Sequence, residues 1–318
     1  MRTRNFRSAW RSLLDTFYRA GAASLLALGV ALPALAQEGD ALRTVFQYTG
    51  TLKRIQDTGA IRIGYRQNSI PFAFLDPKGK PVGYALDLCD AIVDEVSTEL
   101  GKEVRTDYRP VTPENRFDLL IAGEIDLECG SSTNTIERRK RVAFSPTTFV
   151  TGTKLLVRRD SRLRFLRDLK GRTIVVTLGT VQDTAMRSLN ERQKLNLNFV
   201  TGADHRESFQ ILESGKADAW ANDEILLYGM LAETRTGAKY RVVGDFLTYA
   251  AYALAFRKDD PEFAEIVDRA FGKLAGSREI VYIYNRWFLK RLPSGVRLDL
   301  PMSPHLEELF RVQGLPGD

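Results

Sequence analysis

Thr148-Phe-Val-Thr-Gly-Thr-Lys-Leu-Leu-Val157 and Tyr249-Ala-Ala-Tyr-Ala-Leu-Ala-Phe256 are the two stretches that decide how this chain is organised. Both read as strands, and each separates segments that alternate short apolar runs with amphipathic stretches. The first run carries the chain out of one α/β unit, and the second returns it. Two crossings make a hinge of two strands, so two lobes able to close on something between them follow from the layout.

Working outward, Ile61-Arg-Ile-Gly-Tyr65 reads as a strand, and Asp87 to Leu100 as a helix ended by Gly101. Leu88, Ile92, Val96 and Leu100 lie four apart on one face of it. Val104 to Arg109 is a strand, Glu114 to Ala122 a helix stopped by Gly123, and Ile125-Asp-Leu-Glu-Cys129 a strand. Between the crossings, Thr173 to Thr177 predicts a strand, Thr180 to Leu189 a helix and Phe199-Val200 a short strand. Arg206 to Ser214 then predicts a helix and Ala217 to Ala221 a strand. Phe263 to Ala275 and Arg278 to Leu289 read as closing helices. This order implies an α/β protein, each lobe a mostly parallel sheet flanked by helices. The expected division is 37–149 with 251–318 for lobe 1, and 150–250 for lobe 2. The stretch after Pro293 carries no recognisable motif.

The 318 residues have a hydrophobic fraction of 44%, a charged fraction of 27% and a formal charge of +6, an ordinary globular composition. Residues 1–36 hold Arg2, Arg4, Arg7, Arg11 and Arg19 against Asp15, leaving only about +2 for the rest. That is too little to argue for nucleic acid. The arginines precede the apolar stretch Gly21 to Leu32, then Pro33-Ala34-Leu35-Ala36-Gln37 with small residues at Ala34 and Ala36. This reads as a cleaved secretion signal, 1–36, because the stretch is shorter than a spanning helix needs. No other segment is long and apolar enough to span a bilayer, so a soluble, exported protein is expected. Cys89 and Cys129 are the only cysteines. They exclude a disulfide scaffold or a cysteine zinc cluster, and their spacing leaves bond or free thiols open. The histidines, His205 and His305, give no metal spacing, and no cofactor motif is present.

Read from spacing alone, Ser131 and Thr133 are helix caps and Arg138 belongs to the solvated basic face Arg138-Arg139-Lys140-Arg141. Asp223, in Asn222-Asp223-Glu224, reads as a cap for the following helix. Arg66 and Arg116 find ordinary partners in Asp76, Glu114 or Asp118, and His205 sits as a surface histidine beside Asp204 and Glu207.

A family resemblance changes those readings. Gly64-Tyr-Arg66, Pro71-Phe72, Val82-Gly83-Tyr84-Ala85-Leu86-Asp87-Leu88 and Thr135-Ile136-Glu137-Arg138 occur in order. They are followed by Phe144-Ser145-Pro146, Asp168-Leu169-Lys170-Gly171 and Trp287-Phe288. Over about Thr51 to Lys290 the chain resembles the family 3 periplasmic solute-binding proteins of amino-acid ABC transporters. Asn115-Arg116, Glu128-Cys129-Gly130-Ser131-Ser132-Thr133-Asn134 and Ala203-Asp204-His205 resemble the glutamate/aspartate-binding branch in particular. The resemblance implies a type II periplasmic-binding-protein fold, a periplasmic location, an L-glutamate or L-aspartate ligand, and a membrane permease with its ATPase as partner. A monomer without cofactor or catalytic residue is expected.

The implied roles make physical sense. Ser131, Thr133 and Arg138 take the ligand's α-carboxylate, the guanidinium offering a two-toothed grip. Asp223 takes the ammonium, and the helix start at Thr180 offers free N–H groups to an anion. Val181 stands where the family often has a second hydroxyl, and Pro113 where the branch commonly has a serine. Arg66, Arg116 and His205 match the positions that grip the distal carboxylate. Three arginines against Asp223 leave +2, suited to a ligand of net charge −1, whereas a neutral ligand leaves a buried arginine unpaired. Phe72, Phe74, Tyr84 and Phe117 are either pocket wall or core. Two other classes use the same scaffold: an exported dehydratase-like or peptidoglycan-active enzyme, for which Glu128 is the candidate acid, and a ligand sensor for a separate membrane receptor. No nucleophile–base pair supports the enzyme.

Overall fold

The computed structural model describes residues 47–317; the secretion-signal reading of 1–36 lies outside them. The first part of the chain forms α1 (Gly50–Thr58), β1 (Ala60–Tyr65), β2 (Asn68–Ser69), β3 (Ala73–Leu75), β4 (Pro81–Val82) and α2 (Tyr84–Leu100). It continues through β5 (Arg105–Pro110), α3 (Arg116–Ile121), β6 (Leu127–Cys129), α4 (Ile136–Arg139) and β7 (Val142–Phe144). The long strand β8 (Phe149–Arg158) leads to β9 (Thr173–Thr177), α5 (Val181–Gln193), β10 (Asn198–Gly202), α6 (His205–Glu213) and β11 (Ala219–Asp223). Then come α7 (Glu224–Thr234), β12 (Tyr240–Val243), β13 (Tyr249–Tyr252), β14 (Ala255–Arg257), α8 (Pro261–Gly276), α9 (Glu279–Phe288) and α10 (Pro304–Val312).

Two sheets carry the architecture, in the orders β5-β1-β6-β14-β7 and β10-β9-β11-β8-β12, with β13 paired to β8. Strands β2, β3 and β4 form a small third sheet. The parallel expectation holds at β5-β1-β6 and β10-β9-β11. Elsewhere pairing is antiparallel, because β14, β8 and β12 run against their neighbours. Strand β8 explains the hinge. Its first residues pair with β13, Phe149 opposite Tyr252, while its later residues pair with β11 and β12.

The crossings are anchored by aromatic packing. Phe149 and Tyr252 lie with Phe72, Tyr84, Tyr284 and Phe288 in one ring cluster, centroids 4.3–6.3 Å apart. Tyr84 Oη donates to the Thr148 carbonyl at 2.9 Å, so no buried hydroxyl is left unpaired there. This cluster sits in the largest apolar core, which packs α2, α8 and α9 on one face of the first sheet. Helix α10 contributes Leu306 and Phe310 to that core, and Gln313 just beyond it donates to the Thr147 carbonyl. The stretch after Pro293 thus closes the core beside the first crossing.

Some boundaries moved for identifiable reasons. Helix α2 begins at Tyr84, not Asp87, because the Pro71 and Phe72 carbonyls accept its first N–H groups, from Tyr84 and Ala85, at 2.9 Å each. Gly83 permits this approach: at φ 146° a Cβ there would fall 2.2 Å from the Phe72 carbonyl oxygen. Cys89 on α2 and Cys129 at the end of β6 are joined in a disulfide, Cα–Cα 6.4 Å, fastening the central strand to its covering helix. No helix of the described residues is long and apolar enough to cross a membrane.

Candidate functional site

Each of the eight residues expected from the sequence sits where a strand ends or a helix begins, the place where open α/β sheets hold ligands. Arg66 follows β1, Arg116 opens α3, Ser131 and Thr133 follow β6, and Arg138 is in α4. From the second sheet, Thr180 caps α5, His205 opens α6 and Asp223 ends β11. All eight line one narrow cavity, together with Val181, Gln182 and Leu226. Residues from both sheets thus face one another across it.

Contacts across the cleft join the two sides. Arg138 donates to the Thr133 carbonyl at 3.0 Å on its own side and to the Gly179 carbonyl at 3.3 Å opposite. Asn68 donates to Asp204 at 2.8 Å, and Ser69 Oγ lies 3.4 Å from His205 Nδ1. Gly179, at φ 72°, packs so near the loop before α3 that a Cβ would meet the Pro113 oxygen at 2.7 Å and Glu114 Cα at 2.6 Å.

The readings made from spacing alone do not describe these side chains. Thr135, not Ser131 or Thr133, caps α4 by accepting from the Arg138 N–H. Arg138 turns inward while its neighbours pair outward, Arg139 with Asn134, Lys140 with Glu137 and Arg141 with Asp118. Asp76 accepts from two backbone N–H groups of its own turn, and Asp118 is occupied by Arg141. Arg66 and Arg116 are 3% and 2% exposed; Arg116 Nε donates to Ser132 Oγ at 2.8 Å. Their atoms Arg66 Nη2 and Arg116 Nη1 are buried with no hydrogen-bond partner. His205 is 2% exposed. Asp223 makes no cap hydrogen bond to α7: it accepts from Tyr252 Oη at 2.5 Å and Thr153 Oγ1 at 3.2 Å. Its place as the last residue of β11, paired to Thr153, aims it there.

Burial sets the electrostatics. It pushes Arg66 down to about 9, helped by Arg116, and Arg138 to about 9 for the same two reasons, so both remain cationic at neutral pH. Arg116 is lowered by burial. Burial, with Arg66 and Arg116 nearby, holds His205 well below its usual value, so the ring is neutral at pH 7. Burial raises the Asp223 carboxyl against the hydrogen bonds from Tyr252, Gln182 and Thr153. Among the aromatics, Phe117 is a platform, with the Arg116 and Arg138 guanidiniums 4.3 and 5.1 Å from its ring centre. Phe72, Phe74 and Tyr84 are core. Sequence reading missed Gln182, buried beside Asp223, and the supporting Ser132, Thr153 and Tyr252. Tyr252 lay within a quoted crossing, but nothing local marked its hydroxyl as a partner of Asp223. No cluster able to hold a metal occurs among the described residues.

The chain is similar to known proteins over most of its length. The family model for bacterial extracellular solute-binding proteins, family 3, matches residues 61–290. An L-glutamate/L-aspartate-binding protein of Pseudomonas aeruginosa is 39% identical over 267 residues, 83% of this chain and 88% of that protein. A glutamate/aspartate import solute-binding protein of Escherichia coli is 36% identical over 295 residues, 92% of this chain and 96% of that protein. Among solved structures, an ancestral arginine-binding protein bound to arginine superposes with TM-score 0.66 at 27% identity, covering 72% of this chain and 98% of that one. The two-lobed architecture is the type II periplasmic-binding-protein fold. The chain is a member of the bacterial extracellular solute-binding proteins, family 3.

Proposed function

We propose that this protein is an exported, soluble, monomeric carrier that captures L-glutamate or L-aspartate between its lobes and delivers it to an ABC permease in the bounding membrane. The observation that carries the reading is the cavity that joins Arg66, Arg116 and Arg138 from one side to Asp223 and neutral His205 from the other. Arg138, Ser131, Thr133 and the N–H groups at the α5 start hold the α-carboxylate, and Asp223 the ammonium. Arg66, Arg116 and His205 hold the side-chain carboxylate. The names of the relatives support the acidic amino acid and the import system. Periplasmic location rests on those relatives and on the reading of residues 1–36.

Residues 37–149 with 251–318 form the first lobe in this reading, and 150–250 the second. The first binds the ligand with the cleft open, and the second then closes over it. Replacing Gly179 by alanine tests the closing step. The added methyl meets backbone atoms of the opposite loop, whereas the left-handed backbone penalty of about 1 kcal/mol acts in open and closed forms alike. Gly179→Ala is expected to weaken ligand binding about tenfold or more and to leave the liganded protein more open by small-angle scattering. A liganded profile identical to wild type contradicts this.

Calorimetric titration of the mature, ligand-stripped protein tests the function itself. L-glutamate and L-aspartate are expected to bind at least 100-fold tighter than L-glutamine and L-histidine, because a neutral side chain leaves buried cations unpaired. Tighter binding of a neutral or basic amino acid overturns the distal-carboxylate assignment. The enzymatic reading needs an acid facing the cleft. Glu128, its candidate, is fully buried and does not line the cavity.

A further inference from the structure

Glu128 is a buried ionisable group that the capture mechanism leaves unused. It occupies the middle of β6, opposite Gly64 of β1 on one side and Ala255 of β14 on the other, and is 0% exposed. Its neighbours Leu127 and Cys129 turn into the main core, so strand alternation directs Glu128 to the other face, where α3 packs. Both carboxylate oxygens lack a hydrogen-bond partner, as do Arg66 Nη2 and Arg116 Nη1. Two acceptors and two donors of opposite charge are thus left over in one region. Gly130 marks how close they are: a Cβ there would lie 2.5 Å from Glu128 Oε1 and 2.9 Å from Arg66 Cγ. A side chain at 130 would displace one or the other. Glu128 also acts electrically on each of Arg66, Arg116 and Arg138, opposing the depression that burial imposes.

We propose that Glu128 acts through Arg66 and Arg116 as their resident counter-ion, reducing the site's charge to the +1 that a singly negative amino acid balances. Counted over the lining alone, three arginines and Asp223 give +2, which a ligand of charge −1 leaves uncompensated by one. Glu128 closes that difference. The inference rests on the acidic-amino-acid reading, but it has its own test.

The test is Glu128→Gln in the full mature protein, titrated with L-glutamate and L-glutamine beside wild type. The two ligands match in size and differ in one charge, so general damage to the site weakens both alike. Removing the negative charge that opposes Arg66 and Arg116 strengthens the preference for the anion. The glutamate-to-glutamine affinity ratio is expected to rise on the order of tenfold or more. A ratio unchanged from wild type overturns the proposal, whatever the absolute affinities. Failure of wild type to prefer glutamate instead removes the functional reading. A second arm needs no ligand: thermal melting of Glu128→Gln, Arg66→Gln and the double variant. Counter-ions removed together cost less than either alone, so the double variant is expected to melt above the Glu128→Gln protein. A double variant at or below that single variant overturns the proposal, even if the single variant folds poorly.

Discussion

Asp223→Asn is expected to weaken amino-acid binding by about 100- to 1000-fold while leaving the unliganded fold as stable or more so. The direction follows from what the carboxylate does with and without ligand. When ligand is bound it faces the ammonium, and truncating one partner of a buried charge pair costs about 2–5 kcal/mol. Without ligand it is a 1% exposed anion whose carboxyl is already raised by burial. Asparagine keeps one oxygen for Tyr252, turns an amide N–H toward the Thr153 hydroxyl in place of the second oxygen, and removes the charge. Opposite pH trends follow in the wild type. A carboxyl raised in the folded state contributes stability that is fully present below its unfolded pKa and lost as pH rises through the folded one. Affinity moves the other way, falling as pH drops through the raised value and the carboxyl takes a proton. Titrations and urea midpoints from neutral pH down into the carboxylate range measure both. An Asp223→Asn protein that binds within tenfold of wild type contradicts the ammonium role.

The second large effect is on stability. Cys89 and Cys129 are 40 residues apart in sequence, and closing a loop of that size in the unfolded chain is worth about 4 kcal/mol by chain entropy. Cys89→Ser with Cys129→Ser is expected to lower the melting temperature by roughly 10 °C. Reductant on the wild type should reproduce the loss. Because the bond fastens β6 to α2 inside the main core and neither cysteine lines the cavity, affinity at 25 °C is expected to stay within a few fold. An unchanged melting temperature contradicts the structural role.

Much of this fold was legible because its signals are local. Leu88, Ile92 and Val96 mark α2 by their spacing and are buried, Gly101 ends it in a left-handed conformation, and Thr173 to Thr177 is the strand that its β-branched residues predict. The crossings were readable for the same reason. What local pattern could not supply was long-range partnership. The α2 start depends on carbonyls contributed by Pro71 and Phe72, the sheets' antiparallel members on strands that return from far away, and the disulfide on tertiary contact.

The site shows the same division. From spacing, Arg138 was one of four consecutive basic residues and Asp223 an ordinary cap; only the resemblance separated them from that background. In space they differ from their neighbours by burial and direction, which four-residue patterns do not encode. Gln182 and Glu128 were missed as site and supporting residues because each acquires its meaning from a partner on another strand or helix. Val181, where the family often has a second hydroxyl, leaves the anion-binding helix start without that side-chain hydrogen bond. Gln182, the next residue, reaches Asp223.

A crystal structure of the protein with L-glutamate bound tests the central claim most directly. The α-carboxylate is expected on Arg138 and the α5 start, the ammonium on Asp223, and the side-chain carboxylate against Arg66, Arg116 and His205. A ligand lying the other way round, or one whose side chain avoids Arg66 and Arg116, would contradict it.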